Sequence, residues 1–484
     1  ETSITIDDVV FVVDSGRVKE NRYDNTNRMA TLVECWVSMA SAKQRRGRAG
    51  RVKPGICYHL FSSRRAKALS DYQLPEMLRV PLDELVLTIR VLDLGAPAEF
   101  LSEAVNPPSE HAINNSLEAL RFLQALDEED DDRLTALGYH LATLPVAPRI
   151  GKMILFGAIF RCLDPVLTVA AAMSFRSPFV APLDKREQAD EARRKFALDN
   201  SDHLTVLKAF NGWRETRGRG REEREFLFDN FLSRNTLSMI SDMRRQFFDN
   251  LRGIGFVSLP RGGRSDRTEG ARFGVSRAGG GGKYQDHASN PAGTYNAYAD
   301  NLHLVKAVLC AGLYPNVAVV QLPQAGPDGR LPPMAEPKLL TRRGEVFLHP
   351  ISVLFNCRSF GSRYLVYHEK VKTSKVYLRD ASAVSPYPLL LFGGRVEVQH
   401  GESEITVDGW LAFRAHPKVA VLVKLLRRRM DELLRHQIQF PDQDITSHGS
   451  QLIDATAALL ASEAVVSKPP AAGKKGAGGG GGGG

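Results

Sequence analysis

Residues 44–51 read Gln-Arg-Arg-Gly-Arg-Ala-Gly-Arg, one amide, four guanidinium groups and two glycines within eight positions. If Ser38 or Ser41 caps a helix here, Gln44, Arg48 and Arg51 fall at i, i+4 and i+7 and share one face. Gly47 and Gly50 would each cost a helix interior roughly 1 kcal/mol relative to Ala. Their presence predicts close approach of another backbone or of a phosphate. A face with one amide and two planar guanidinium forks suits a transferring phosphoryl group, whose charge such forks neutralise as it develops. Read alone, the run fits a basic Arg-Gly tail or a localisation patch equally well.

The flanks decide against a tail. Upstream, Val9-Val10-Phe11-Val12-Val13 is a short apolar run of the kind buried in parallel sheets, and it closes at the turn signal Asp14-Ser15-Gly16. Downstream, Pro54-Gly55 turns the chain into Ile56-Cys57-Tyr58-His59-Leu60-Phe61, a second strand-like run. A basic helix held between two buried strands belongs to a packed α/β domain.

These residues also carry a family resemblance. Glu1-Thr2-Ser3-Ile4-Thr5-Ile6-Asp7 resembles motif V of the superfamily 2 helicases, and Gln44 to Arg51 resembles their motif VI, in the version of the DEAH-box/RNA helicase A group. The likeness continues through Tyr72-Gln73-Leu74-Pro75-Glu76 and on to the neighbourhood of Arg435. It implies that Gln44, Arg48 and Arg51 are catalytic, the two arginines as fingers and Gln44 positioning the attacking water or the γ-phosphate. It implies ATP and Mg²⁺ as cofactors, with Thr5 and Asp7 facing the ribose and the hydrated metal. Glu1 stands inside a motif with no Met before it, so the sequence reads as a fragment. It holds no Gly-x-x-x-x-Gly-Lys-Thr loop and no Asp-Glu-x-His box. The resemblance assigns both to a first RecA-like domain, so the fragment alone is expected not to hydrolyse ATP.

A net charge of +9 suits a polyanionic partner. Its distribution says more, since Lys43 to Lys67 holds nine basic residues and no acidic one. The run Asp127-Glu128-Glu129-Asp130-Asp131-Asp132 reads as a solvated turn, and no metal site of the protein's own is expected. Five cysteines without a Cys-x-x-Cys pair argue against a zinc site and a disulfide framework, and fit a reducing compartment, cytoplasmic or nuclear. No run approaches 18 apolar residues, so no membrane-spanning helix is expected.

The predicted fold class is multidomain, α/β followed by α and then β. Residues 1–64 read as the C-terminal part of a RecA-like α/β domain, in which Arg17 to Thr31 is either a hairpin or a plain surface excursion. Residues 65–143 read as a winged helix, with helices around Leu82–Leu92 and Ser116–Leu123. Residues 144–257 are helical and end in one long basic helix, Phe226–Leu251; resemblance makes this the ratchet domain along the RNA. His203 there reads as a capping or packing residue. Residues 258–300 form a Gly/Arg-rich insertion.

Residues 301–438 turn to β character, with strands at Val317–Leu322, Glu345–Leu348, Tyr364–His368, Val376–Leu378 and Leu389–Phe392, then a basic amphipathic helix docking back on them. Resemblance identifies an oligonucleotide-binding (OB) barrel, whose faces meet single strands. Lys372, Lys375, Tyr377 and Arg379 there, with Arg244 and Arg245 on the long helix, are the candidate RNA contacts; an ordinary solvated hairpin is the alternative at the barrel. Residues 439–484 read as a tail with a disordered Gly-rich end.

The expected function is the C-terminal part of an ATP-dependent RNA helicase moving 3′ to 5′ on single-stranded or structured RNA, with ribonucleoprotein partners. The rival readings are a non-catalytic RNA-binding scaffold of helicase descent, and a helicase for DNA or quadruplex structures.

Overall fold

The computed structural model describes residues 7–24, 29–50, 52–127, 132–257, 294–322, 337–372, 375–399, 404–440, 443 and 449–466. Thr5, Arg51, residues 128–131 of the acidic run, the Arg/Gly segment 258–293 and the Gly-rich end lie outside the described residues.

The two apolar runs flanking the arginine motif form strands β1 (Phe11–Asp14) and β4 (Ile56–His59), paired in parallel with Asp14 opposite His59. A parallel pair needs a long crossover. The chain makes it through a hairpin, β2 (Arg17–Asp24) with β3 (Met29–Trp36), and then helix α1 (Met39–Arg46). The segment after Gly16 is thus a hairpin. The strands are less buried than their composition predicts. Phe11, Val13 and Tyr58 are 63, 66 and 52 % exposed, because among the described residues nothing covers that face of the pair.

After α2 (Ser63–Lys67) come α3 (Asp83–Val91), α4 (Pro97–Ser102), α5 (Glu110–Phe122) and α6 (Ala136–Thr143), with Leu126 bridging Leu134 at the base of the acidic turn. The next module is α7 (Pro148–Ile159), α8 (Leu163–Ser174), α9 (Arg186–Lys195), α10 (Asp202–Thr216), α11 (Arg221–Asp229) and α12 (Arg234–Gly253). The expected single helix over 226–251 is two. Phe231 takes φ +51°, which no helix accommodates, and Ser233 recaps the chain by accepting the Thr236 N–H.

The barrel is preceded by a helix that the β-rich reading missed, α13 (Leu302–Leu313). Leu304 to Leu313 are buried without interruption, Lys306 among them in an ion pair with Asp199 (2.7 Å), so this helix is covered on every side and sits inside the molecule. Strands β5 (Val317–Gln321), β6 (Lys338–Thr341), β7 (Gly344–Leu348), β8 (Tyr364–Lys372) and β9 (Val376–Val384) close a barrel in the order β5-β6-β7-β9-β8. The run expected as a fifth strand, Leu389–Phe392, is instead the end of helix α14 (Pro386–Phe392), started by Pro386 at its first turn. A three-stranded antiparallel sheet follows, β10 (Val396–Gln399), β11 (Glu404–Val407) and β12 (Leu411–Arg414), then α15 (Pro417–Gln439) and α16 (Ser450–Val466).

Two further expectations fail here. The helix α15 docks on α6, α14 and the β10–β11 strands, not on the barrel. Part of the expected tail is α16, which buries Ile453, Ala457 and Leu460 and packs on α13.

One apolar core runs from α3 through α7, α8 and α13 to α15 and α16, while the barrel keeps a second core of its own around Leu365 and Leu378. The start of α10 joins the two. Asp202 accepts from Ser352 Oγ (2.7 Å) and from the N–H groups of Val353 (2.8 Å) and Ala381 (3.0 Å). His203 Nδ1 lies 2.6 Å from Ser382 Oγ, and burial brings this histidine down to about 4. It is a packing residue at a seam between helical module and barrel.

Candidate nucleotide and nucleic-acid sites

Ser38 caps α1, its Oγ accepting from the Ser41 N–H at 3.2 Å. The helix stops at Gly47, and the chain continues in tight turns, with Arg48 N–H donating to Arg45 O (3.1 Å) and Ala49 N–H to Arg46 O (3.2 Å). Gln44 therefore stands on the last turn, exposed, and Arg48 just beyond it, half-buried. The regular i, i+4, i+7 face is cut short, and Arg51 lies outside the described residues. Asp7 is exposed at the start of the described chain.

Among the described residues no neighbour demands either motif glycine. A Cβ on Gly50 would meet nothing within 4 Å, and one on Gly47 would meet the helix carbonyls of Lys43 and Gln44 at 3.4 and 3.5 Å, ordinary van der Waals contact. Close approach belongs to Gly55, where a Cβ would fall 1.8 Å from Ala49 O. That contact lets β4 begin directly under the motif.

Arg45, not singled out by spacing, organises this corner. Its Nη1 donates to Asp14 Oδ1 (2.8 Å) and to Arg17 O (3.2 Å). Asp14 Oδ2 is 3.4 Å from His59 Nδ1, and Oδ1 also accepts the Gly16 N–H at 2.9 Å. Burial pushes the Asp14 carboxyl up, but Gly16, Arg45 and His59 outweigh it and hold it below the usual range. The signal was present as an aspartate closing β1 before a turn. Gln73, within the Tyr72–Glu76 stretch, donates to Glu20 Oε1 at 2.6 Å and so ties the base of the hairpin down, while β3 lies against β8.

On the nucleic-acid side the candidates divide. Arg244 is 1 % exposed, ion-paired with Asp164, and its guanidinium lies 5.0 Å over the Phe210 ring. It clamps α8, α10 and α12 and does not face solvent, because α12 buries Phe247, Phe248 and Leu251 on the same side. Arg245 is exposed, 3.5 Å from Asp242. On the barrel, the pleat puts Lys375, Tyr377 and Arg379 on one outer face. Lys375 Nζ sits 4.2 Å over Phe347, Tyr377 packs 6.4 Å from Phe347 and 5.9 Å from His349, and Arg379 Nη1 donates to Glu369 at 3.1 Å. Lys372 pairs with Val376, one step out of phase, and leans to the other face. Phe347 and His349 were missed, since they come from β7 and the turn after it.

A cleft of 1040 Å³ opens where the α3–α5 module, the start of α7 and the barrel meet, lined among others by Phe122, Arg149, Arg342, Arg343 and Lys370. Arg342 reaches over Phe122 at 6.0 Å. Lys370 donates to Thr341 Oγ1 at 3.1 Å, and burial with Arg343 beside it brings it down to about 8.

Comparison with known proteins matches this architecture piece by piece. Residues 116–146 match the winged-helix part and 147–206 the ratchet-like part of the helicase associated domain (HA2). Residues 305–396 match an oligonucleotide/oligosaccharide-binding (OB)-fold, and 403–462 a C-terminal domain in RNA helicases. The chain is 47 % identical over 446 residues to the human ATP-dependent DNA/RNA helicase DHX36, covering 91 % of this chain and 41 % of that protein. It is 44 % identical over 465 residues to the Arabidopsis thaliana DExH-box ATP-dependent RNA helicase DExH1, covering 96 % and 42 %. The chain belongs to the DEAH-box/RNA helicase A family. Within that family it carries the winged-helix, ratchet and OB modules, and spans less than half the length of these relatives.

Proposed function

We propose that this chain is the C-terminal part of an ATP-dependent RNA helicase that couples ATP hydrolysis to 3′–5′ movement along RNA. The observation that carries the reading is the pairing, in one chain, of the Gln44–Arg48 turn beside open space at Gly50 with an aromatic–cationic face on the barrel. The β1–β4 pair with α1 is then the end of a RecA-like domain.

ATP with Mg²⁺ supplies the transferable phosphoryl group, and the donor set fits a phosphate: guanidinium forks and an amide at a helix end, with no competing carboxylate from Lys43 to Lys67. Among the described residues no group of three or more His, Cys, Asp or Glu could hold a metal, so Mg²⁺ would be held through the nucleotide and a partner domain, with Thr5 and Asp7 at its edge. Arg48 and Arg51 neutralise charge on the transferring group, and Gln44 orients water. Arg45 is a positioning residue: through Asp14 it fixes the turn that presents Arg48.

The test uses the chain joined to its upstream helicase region. Arg48→Ala is expected to lower RNA-stimulated ATP turnover by about 10³ or more while RNA affinity stays within about twofold, and Lys at that position to rescue little. Near-normal turnover in Arg48→Ala would remove the finger assignment. The present chain alone is expected to release no phosphate from ATP above a buffer blank. DNA is a second substrate worth the same assays, because the relative DHX36 is named a DNA/RNA helicase.

A further inference from the structure

The helix α15 has two apolar faces where a surface helix needs one. Ala420, Val423, Met430, Leu433 and Leu434 are buried where it packs on α6, α14 and the β10–β11 strands. A second set, Val421, Leu422 and Leu425, is 65, 63 and 47 % exposed. Their spacing places them side by side across little more than one turn. Lys418, Lys424, Arg428 and Arg429 are exposed around them on the same side. Arg429 is engaged by Glu432 at 2.9 Å, while Lys418, Lys424 and Arg428 make no side-chain ion pair among the described residues.

We propose that this face docks an acidic amphipathic helix of a protein partner, with aliphatic residues at helical spacing bordered by Asp or Glu. The layout decides the class of partner. Aliphatic side chains at the centre and charges at the rim are the arrangement of a protein interface, and a helix laid on such a face reads it through i, i+3 and i+4 anchors. A nucleic-acid strand gains little from three exposed aliphatic groups, and the exposed row holds no aromatic ring for a base to stack on. A second copy of the chain is disfavoured, because a two-fold contact would set this cationic rim against itself. The cations demand an acidic occupant.

Fluorescence anisotropy on the intact chain tests this with a labelled synthetic helix of Leu/Glu heptads, a matched Leu/Lys control and a labelled uridine oligonucleotide. The Glu peptide is expected to bind saturably and at least about tenfold tighter than the Lys control, weakening with salt. Leu422→Gln with Leu425→Gln should abolish that binding, and Lys424→Glu with Arg428→Glu should weaken it about tenfold. Both pairs are solvent-exposed, so an unchanged melting temperature certifies the fold. Equal binding of the two peptides, or indifference to charge reversal, overturns the proposal. So does a loss of affinity for the oligonucleotide, or for anionic vesicles, with peptide binding intact.

Discussion

Arg45 and Arg48 stand three residues apart and do different work. The Asp14 side chain is 1 % exposed, and Arg45 is its closest cation. Arg45→Met would strand a buried carboxylate, at roughly 2–4 kcal/mol, and a lower melting temperature with earlier proteolysis near the hairpin is the expected outcome. Arg48→Ala should leave the melt within about 0.5 kcal/mol and act on turnover alone. The same contrast divides the basic pair on α12. Arg244→Met should destabilise the helical module by roughly 3–5 kcal/mol, since Asp164 would lose its closest partner. Arg245→Ala should leave the melt unchanged and weaken RNA binding. An Arg244 variant with wild-type melting would contradict the clamp.

At the scale of elements, the outer face of β7 and β9 separates stacking from charge. Tyr377→Ala should reduce affinity for a single-stranded oligonucleotide by about 1–3 kcal/mol, with the salt dependence unchanged, because a base has been lost from its platform. Lys375→Ala should instead flatten the plot of log affinity against log salt by roughly 0.7. Arg379→Ala should do less, since Glu369 already holds part of its charge. Lys372→Ala, on the opposite face, is the internal control. Anisotropy across a salt series distinguishes these outcomes, and identical slopes for Lys375→Ala and wild type would take this face out of the RNA path.

For the molecule as a whole, the continuous core makes the α3–α6 module, the helical module and the C-terminal helices one mechanical unit, with the barrel pinned to it at Asp202. Lys152 lies in that core, donating to Leu123 O at 2.9 Å, and burial brings it down to about 7 from 10.5. A lysine depressed in the folded state binds fewer protons there than in the unfolded chain between these two values. The cost of burying this ammonium is therefore full below about 7 and is relieved as pH rises toward 10.5, by at most roughly 1.4 kcal/mol per unit, so stability rises with pH over that window. Lys152→Met should flatten the pH dependence of the melting temperature on the alkaline side. An identical pH profile in the variant would show that Lys152 is solvated.

The sequence by itself determined the winged-helix, ratchet and OB modules, the strand–helix–strand frame around the arginine motif and four of the five barrel strands, because those signals are local: apolar runs, turn residues and a capping serine. It grouped Lys372, Lys375, Tyr377 and Arg379 by proximity in the chain, and the strand's two-residue period keeps the last three on one face and leaves Lys372 on the other. It did not determine where α1 ends, which the turn at Gly47 settles, or that Leu389–Phe392 is helical, where Pro386 and burial outweigh β-like composition. Whether an arginine is a ligand or a clamp was decided only in three dimensions. Arg45 and Arg244 match their neighbours in type and spacing, but Asp14 and Asp164 reach them from strand β1 and helix α8. A charge's role depends on which opposite charge the fold brings within a few ångströms, and at separations of 31 and 80 residues no local pattern encodes that.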